Sequence, residues 1–136
     1  MMSRIRGKNT QPEIVVRKGL HHRGFRYRLH VRGLPGNPDI VFPKYEAVCF
    51  VNGCYWHRHP GCQYATTPAT RTGFWKEKFA QNVKRDRHVL KLLADMDWRA
   101  ATVWECDVKH RPESVIDHLS EWLKETRNFS ELDTIF

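Results

Sequence analysis

Apolar residues recur along the chain at two spacings, one typical of strands and one typical of helices. Apolar or alternating runs predict strands at Phe25 to Val31, Ile40 to Phe42, Ala47 to Val51 and Ala100 to Trp104. A stripe with helical spacing begins near Gly73 and contains Trp75, Phe79, Val83, Asp86, Leu90 and Leu93. An amphipathic helix is predicted from Pro112 to about Lys124. Mixed strands and helices indicate an α/β fold.

Helix boundaries can be predicted from capping residues. Thr10 and Glu13 have the spacing of a capping box, which predicts a helix from there to about His22, with Gly24 ending it. Glu13 therefore has a structural explanation, and facing a metal ion is its alternative role. Thr72 is the expected N-cap of the long helix.

Asp86 is a carboxylate in the apolar stripe of the long helix. An unpaired buried carboxylate would cost several kcal/mol, a large share of a typical stability of roughly 5–15 kcal/mol. Arg85 and Arg87 point elsewhere, because neighbours in sequence do not face each other on a helix. We expect His57 as the partner of Asp86, and a buried Asp–Arg pair is the structural alternative.

The loop 52–62, NGCYWHRHPGC, concentrates residues that bind metal ions. Cys54, His59 and Cys62 have the spacing C-x4-H-x2-C, and Cys106, at the end of another predicted strand, is the candidate fourth ligand. A closed site of this kind is structural, so we expect a structural zinc. Ordinary buried thiols are the alternative, and this is our interpretation of Cys49. Spacing alone leaves open whether His57 or His59 is the ligand.

Asp39 follows Pro38 and precedes a predicted strand. Capping of a turn would explain it, but a carboxylate at a sheet end can also hold Mg²⁺. Pro-Asp before a second strand is similar to the PD-(D/E)xK nucleases, although the second acid and the lysine of that motif are missing here. His57 lies just beyond the second strand and could instead act as the general base.

The positive charge is concentrated near the amino terminus. The formal net charge is +8, and residues 1–32 hold nine Lys or Arg against one acid, whereas residues 33–136 hold fourteen of each sign. Such a basic segment favours nucleic acid as the partner, and it has too little apolar surface for a membrane anchor. We expect one domain over residues 1–136, with a basic arm and helix at 1–24 and a loose tail at 126–136. Without a secretory or membrane-spanning segment, a cytoplasmic protein is expected.

Several motifs together resemble the very short patch repair (Vsr) DNA mismatch endonucleases. They are Leu-Pro-Gly-Asn-Pro-Asp39, the Gly-Cys-Tyr-Trp-His-x-His loop, Pro-Ala-Thr-Arg-Thr, Phe74-Trp75, Asn82 through Arg85-Asp86, and Trp104-Glu105-Cys106. The resemblance covers about residues 2–107. It implies a restriction-endonuclease-like core, with a mixed central sheet flanked by helices and a structural zinc. It also implies Mg²⁺-dependent nicking of one DNA strand 5′ to the thymine of a T:G mismatch.

The resemblance assigns roles residue by residue. Asp39 matches the aspartate that binds Mg²⁺, Val51 a residue that offers its main-chain carbonyl, and Glu13 an active-site glutamate. His57 matches the general base and Asp86 its carboxylate partner. The zinc ligands it implies are Cys54, His59, Cys62 and Cys106. The wedging aromatics are Tyr55, Trp56 and Trp75, and the residues near the mismatched pair are Lys78 and Asn82.

The sequence departs from the family pattern at two places. Asn52 stands where the family usually has a second active-site histidine, and the loop has an extra residue before Cys62. Two other functions remain open at this point, a zinc-stabilised DNA-binding module without catalysis and a restriction-type nuclease on matched duplex. A monomer is expected, and mismatch-repair proteins are candidate partners.

Overall fold

The structure is a computed structural model that describes residues 10–29, 31–54 and 69–125, together with the backbone of 133–134. Its helices are α1 (Gln11–His22), α2 (Thr72–Asp95), α3 (Glu105–His110) and α4 (Pro112–Lys124). Its strands are β1 (Arg28–Leu29), β2 (Ile40–Phe42), β3 (Ala47–Asn52), β4 (Arg99–Trp104) and β5 (Asp133–Thr134), with a 3₁₀ turn at Pro43–Tyr45.

The strands form one mixed sheet in the order β1-β2-β3-β4-β5. β2 pairs with β1 and β3 in antiparallel fashion, whereas β4 is parallel to both β3 and β5. The sequence predicted that the strand before the cysteine-rich loop and the strand before Cys106 could be neighbours, and this is confirmed. Because β3 and β4 are parallel, their carboxyl ends meet at one edge of the sheet.

Helices cover both faces of the sheet. On one face, Val16 and Leu20 of α1 and Leu119 of α4 pack against Ile40 and Cys49. The opposite face packs against α2 and its flanking residues, and this cluster contains Val41, Val48, Ala100, Val89, Leu90 and Leu93. The prediction of an α/β fold with a mixed sheet flanked by helices is confirmed at this level.

A buried arginine joins the sheet to the last helix. Arg99 is 4% exposed, and its guanidinium donates hydrogen bonds to the carbonyl oxygens of Trp122 at 2.7 Å and Leu123 at 3.1 Å. The guanidinium also lies 4.6 Å from the centre of the Trp122 ring. These carbonyls belong to the last turn of α4, where the Trp122 oxygen also accepts a hydrogen bond from the Glu125 backbone N–H at 3.3 Å, so Arg99 adds a side-chain donor at the end of the helix.

The predicted strand at 25–31 is much shorter in the structure. Only Arg28–Leu29 pairs with β2, and both residues are exposed, whereas Phe25 is buried. His30 lies outside the described residues. The alternation of apolar and polar residues has another cause than a continuous strand. Phe25 and Tyr27 pack on the side of the core formed by α1 and α4.

The two predicted caps are also corrected. Thr10 is the N-cap of α1, as predicted, but in the described part of the chain its side chain makes no capping hydrogen bond, and Glu13 is buried. Thr72 is the first residue of α2 and not its N-cap, and its hydroxyl donates to the carbonyl oxygen of Ala69 at 3.0 Å.

The carboxyl-terminal segment contributes a short strand. Asp133–Thr134 pairs with Ala101 and Thr102 of β4, although the sequence predicted only a loose tail over residues 126–136. Its side chains and the rest of the tail lie outside the described residues. Among the helices of the described residues, none is long and apolar enough to cross a membrane.

Candidate active site

The candidate site lies at the edge of the sheet where β3 and β4 end. In the parallel register, Asn52 is opposite Trp104, and the two chains continue from there to Cys54 and Cys106. Asp39 immediately precedes β2, which runs antiparallel to β3, so Asp39 lies at the same edge. Strand order and direction therefore bring together residues that are far apart in sequence.

Asp39 is held against the main chain of β3. Its Oδ2 accepts a hydrogen bond from the backbone N–H of Val51 at 2.7 Å, and its side chain is half-buried. A carboxylate can accept about four hydrogen bonds or metal contacts. This one bond therefore orients Asp39 without using all of the acceptor capacity of its oxygens. The two residues matched to Mg²⁺ binding are thus in direct contact.

Glu13 is a buried carboxylate on helix α1. It is 1% exposed, and its Oε1 lies 3.8 Å from Nη1 of Arg17. Burial raises the pKa of the Cys49 thiol, and the negative charges of Asp39 and Glu13 raise it further.

Oxygen donors at this edge suit a hard divalent cation. Mg²⁺ is commonly bound by one or two carboxylates, with water and substrate phosphate completing its shell. Asp39 and Glu13 fit that requirement. Over residues 10–29, 31–54 and 69–125, no group of three or more His, Cys, Asp or Glu side chains could hold a metal ion.

Two of the four candidate zinc ligands are described. Cys54 is fully buried, and Cys106 is half-buried. Cys106 was expected at the end of a strand, but it lies in the first turn of α3, because the chain turns into a helix directly after Trp104. Both residues lie two positions beyond the paired ends of β3 and β4, which fits thiolate ligands of one ion. His59 and Cys62 lie outside the described residues.

Sequence reasoning missed the role of Glu105. Its Oε1 accepts a hydrogen bond from the backbone N–H of Cys54 at 3.1 Å, and this bond joins the start of α3 to the start of the cysteine-rich loop. The signal was available in principle, since Glu105 directly precedes Cys106 and follows the strand beside β3.

Asp86 is less buried than the apolar stripe suggested. It lies half-buried on α2, and within that helix only Phe79 and Leu93 are fully buried. The argument from a completely buried carboxylate is therefore corrected. The pairing with His57 is not tested, because His57 lies outside the described residues.

The residues matched to DNA contact lie along α2. Trp75 is half-buried and stacks on Phe79 with ring centres 5.9 Å apart, Lys78 is exposed, and Asn82 is half-buried. Tyr55 and Trp56, the other two candidate wedges, lie outside the described residues.

Comparison with known proteins decides the family. A family model described as DNA mismatch endonuclease Vsr matches residues 1–63. The DNA mismatch endonuclease Vsr of Escherichia coli is 36% identical over 137 residues, covering 98% of this chain and 87% of that protein. The chain belongs to the Vsr family.

Other relatives are named as nicking enzymes and not as mismatch endonucleases. The type II nicking enzyme V.XorIIP of Xanthomonas oryzae pv. oryzae is 46% identical over 79% of this chain and 79% of its own length. The type II nicking enzyme V.NmeAIP of Neisseria meningitidis is 40% identical over 82% of this chain and 79% of its own length. Membership of this family makes the chain a DNA endonuclease, which is a hydrolase, and a nuclease family suggests a divalent metal ion.

Proposed function

We propose that this member of the Vsr family uses Mg²⁺ to nick one strand of duplex DNA 5′ to the thymine of a T:G mismatch. The observation that carries the proposal is the 2.7 Å hydrogen bond between the Asp39 carboxylate and the Val51 backbone N–H. It places a carboxylate beside a main-chain segment at the sheet edge where β3 ends.

In this proposal, Asp39 and Glu13 hold the metal ion through carboxylate oxygens, and Val51 contributes its main-chain carbonyl. A bound Mg²⁺ supplies positive charge next to the scissile phosphate. The hydrogen bond from Val51 fixes the rotamer of Asp39, and the burial of Glu13 restricts that side chain, so both carboxylates are ordered before DNA binds.

His57 acts as the general base in the proposed reaction. An imidazole has a pKa near neutral, so it can take a proton from the attacking water, and Asp86 fixes its tautomer and stabilises the imidazolium that forms. The half-buried position of Asp86 on α2 is compatible with this role, since a carboxylate need not be fully buried to orient a histidine.

Zinc has a structural role in the proposal, bound by Cys54, His59, Cys62 and Cys106. The chain would be a single restriction-endonuclease-like domain that acts as a monomer. Support comes from the mixed sheet and from the positions of Cys54 and Cys106 beyond adjacent parallel strand ends. A metal that joins these two chain segments would fix the loop that carries His57.

Mismatch recognition is assigned to aromatic and polar side chains. Tyr55, Trp56 and Trp75 would wedge into the base stack, while Lys78 and Asn82 would contact the mismatched pair. Trp75 supports this assignment because it is only half-buried and is backed by Phe79, which gives a rigid ring. A mispaired step opens at lower cost than a matched one, so wedging favours the lesion.

Three labelled duplexes of one sequence test the proposal: a T:G duplex, its T:A counterpart and its C:G counterpart, each with and without Mg²⁺. We expect a single cut 5′ to the mismatched thymine, only on the T:G duplex and only with Mg²⁺. Equal cutting of the T:A duplex would instead indicate a restriction-type nuclease. Binding without any cut would indicate a DNA-binding module.

A further inference from the structure

One flank of helix α2 carries four exposed residues, and only one of them, Lys78, has a role in the proposed reaction. Arg71, at the N-cap, and Phe74, Lys78 and Arg85 are all exposed. Phe74, Lys78 and Arg85 are separated by four and seven residues, which places them on the same side of the helix, and Arg71 joins them through its contact with the Phe74 ring. We call these four residues the α2 track.

Arg71 and Phe74 form a pair at the start of the α2 track. The Arg71 guanidinium carbon lies 4.4 Å from the centre of the Phe74 ring, and Phe74 is 46% exposed. Phe74 also packs edge-on against Trp75, with ring centres 5.3 Å apart. Stacking on a ring keeps the guanidinium plane oriented, so its outer N–H groups remain available to an anion.

The backbone at Arg71 is in a conformation that costs free energy. Its φ is 56° and its ψ is 43°, in the left-handed region that side chains other than glycine rarely adopt. This conformation places Arg71 directly before the first turn of α2. Strain of this kind is concentrated at functional positions.

The cations of the α2 track lack acidic partners in the described part of the chain. No ion pair joins Arg71, Lys78 or Arg85 to a carboxylate there. Arg23 and Arg111, by contrast, are paired with acids. With respect to the described residues, the track therefore presents positive charge that no carboxylate pairs with.

We propose that the α2 track binds the phosphodiester backbone of the DNA duplex, with Arg71 and Arg85 contacting phosphates and Phe74 packing against a sugar or base. The inference rests on the proposed function only in taking duplex DNA as the ligand. Lys78, matched to a residue near the mismatched pair, lies between the two arginines, so the track extends that contact in both directions.

The dimensions of the α2 track suit a nucleic acid backbone. Arg71 and Arg85 are separated by about 21 Å along the helix axis at a rise of about 1.5 Å per residue. That length corresponds to roughly six base pairs at a rise of about 3.4 Å. An acidic protein surface would also attract the cations, but this chain belongs to a family of DNA endonucleases, and Phe74 offers a ring to a base.

The same helix provides a matched control. Arg87 and Lys91 are also exposed, and their positions place them on the opposite flank of α2. The double variants Arg71→Gln/Arg85→Gln and Arg87→Gln/Lys91→Gln therefore remove the same charge from one helix. Thermal unfolding of both variants establishes that each remains folded.

The test is the salt dependence of binding to a matched duplex of about 20 base pairs, measured by fluorescence anisotropy. Each phosphate contact that is lost reduces the slope of log K against log salt concentration by about 0.9. We expect the track variant to lower the slope by about 1.8 and the control variant to leave it near the wild-type value. An unchanged slope in the track variant, or equal reductions in both variants, would overturn the proposal.

Phe74→Ala provides an independent arm of the test. Loss of the contact between the ring and the DNA should weaken binding by about fivefold at every salt concentration, which corresponds to about 1 kcal/mol, without a change in slope. Wild-type affinity in this variant would show that Phe74 does not contribute to DNA binding. Because matched duplex and binding are used throughout, a failure of mismatch nicking would leave these outcomes unaffected.

Discussion

Asp39 and Val51 are twelve positions apart in sequence, and the Asp39 carboxylate accepts a hydrogen bond from the Val51 backbone N–H at 2.7 Å. The antiparallel pairing of β2 with β3 brings the two residues to the same edge of the sheet. Asp39 is therefore positioned by the sheet itself and by a turn that delivers it to β2. This turn comprises residues 33–38.

Gly36 is expected to be required for that turn. Its φ is +75°, and a Cβ added there would collide with the side chain of Val89 on α2. Gly36→Ala should therefore destabilise the protein by about 2–4 kcal/mol, because about 1 kcal/mol of backbone strain adds to overpacking of about 1–3 kcal/mol. Urea unfolding measures the change.

Gly33→Ala is the matched control for this prediction. Gly33 has a φ of +98°, but a Cβ there would meet nothing within 4 Å. It should lose only the backbone contribution, about 1 kcal/mol. Equal losses of stability at the two glycines would mean that packing of the turn against α2 does not contribute to the free energy of unfolding.

Glu105 is predicted to position the start of the cysteine-rich loop. Glu105→Ala removes the acceptor for the Cys54 N–H and should cost about 1–3 kcal/mol of unfolding free energy. If zinc is bound as proposed, the variant should also lose it faster to a chelator, because Cys54 would be less well ordered. Both quantities are measured on the purified protein, by urea unfolding and by metal analysis.

Glu105→Gln separates this role from a simple effect of charge. Glutamine keeps an oxygen acceptor at the same position, so stability and zinc retention should stay near those of the wild-type protein. If the alanine variant also matched the wild type in both measurements, Glu105 would have no positioning role.

Substitutions of the proposed base, His57, and of its partner, Asp86, are expected to reduce nicking activity by different amounts. His57→Ala should slow nicking by about 10²–10⁴-fold, the usual contribution of a general base. Asp86→Asn should have a smaller effect, because the imidazole remains. The control is Asp95→Asn, since Asp95 is an exposed acid at the end of the same helix. Single-turnover rates on the T:G duplex provide the comparison, and equal rates for the Asp86 and Asp95 variants would exclude the partnership.

Periodicity and strand order predicted much of the fold. The α2 helix, β3, β4 and α4 have close to their expected bounds, since long amphipathic or fully buried segments leave few alternatives. The run from Phe25 to Val31 was misjudged because alternation reports burial, and Phe25 is buried without strand pairing. The side-chain capping bond of Thr10 was also misjudged, since Thr10 is the N-cap but its hydroxyl makes no capping hydrogen bond in the described part of the chain.

For the candidate site, the sequence predicted individual residues but not all of the contacts between them. The resemblance to the Vsr family assigned roles to Asp39, Val51 and Glu13, and the structure brings Asp39 into contact with Val51. The contact between Glu105 and Cys54 depends on the register of two parallel strands, which local sequence does not specify. The burial of Asp86 was overestimated because the packing of α2 leaves the middle of the helix partly open to solvent.

The most direct measurement is the single-turnover nicking rate of Asp39→Asn on the T:G duplex over a Mg²⁺ titration, with duplex affinity measured in parallel. Asparagine keeps an oxygen for the Val51 N–H but removes the charge that would hold the metal ion. We expect the rate to fall by about a hundredfold or more, with affinity close to wild type, because the lost stabilisation belongs to the transition state. A wild-type rate with a wild-type Mg²⁺ dependence would contradict the assignment of Asp39 to the metal.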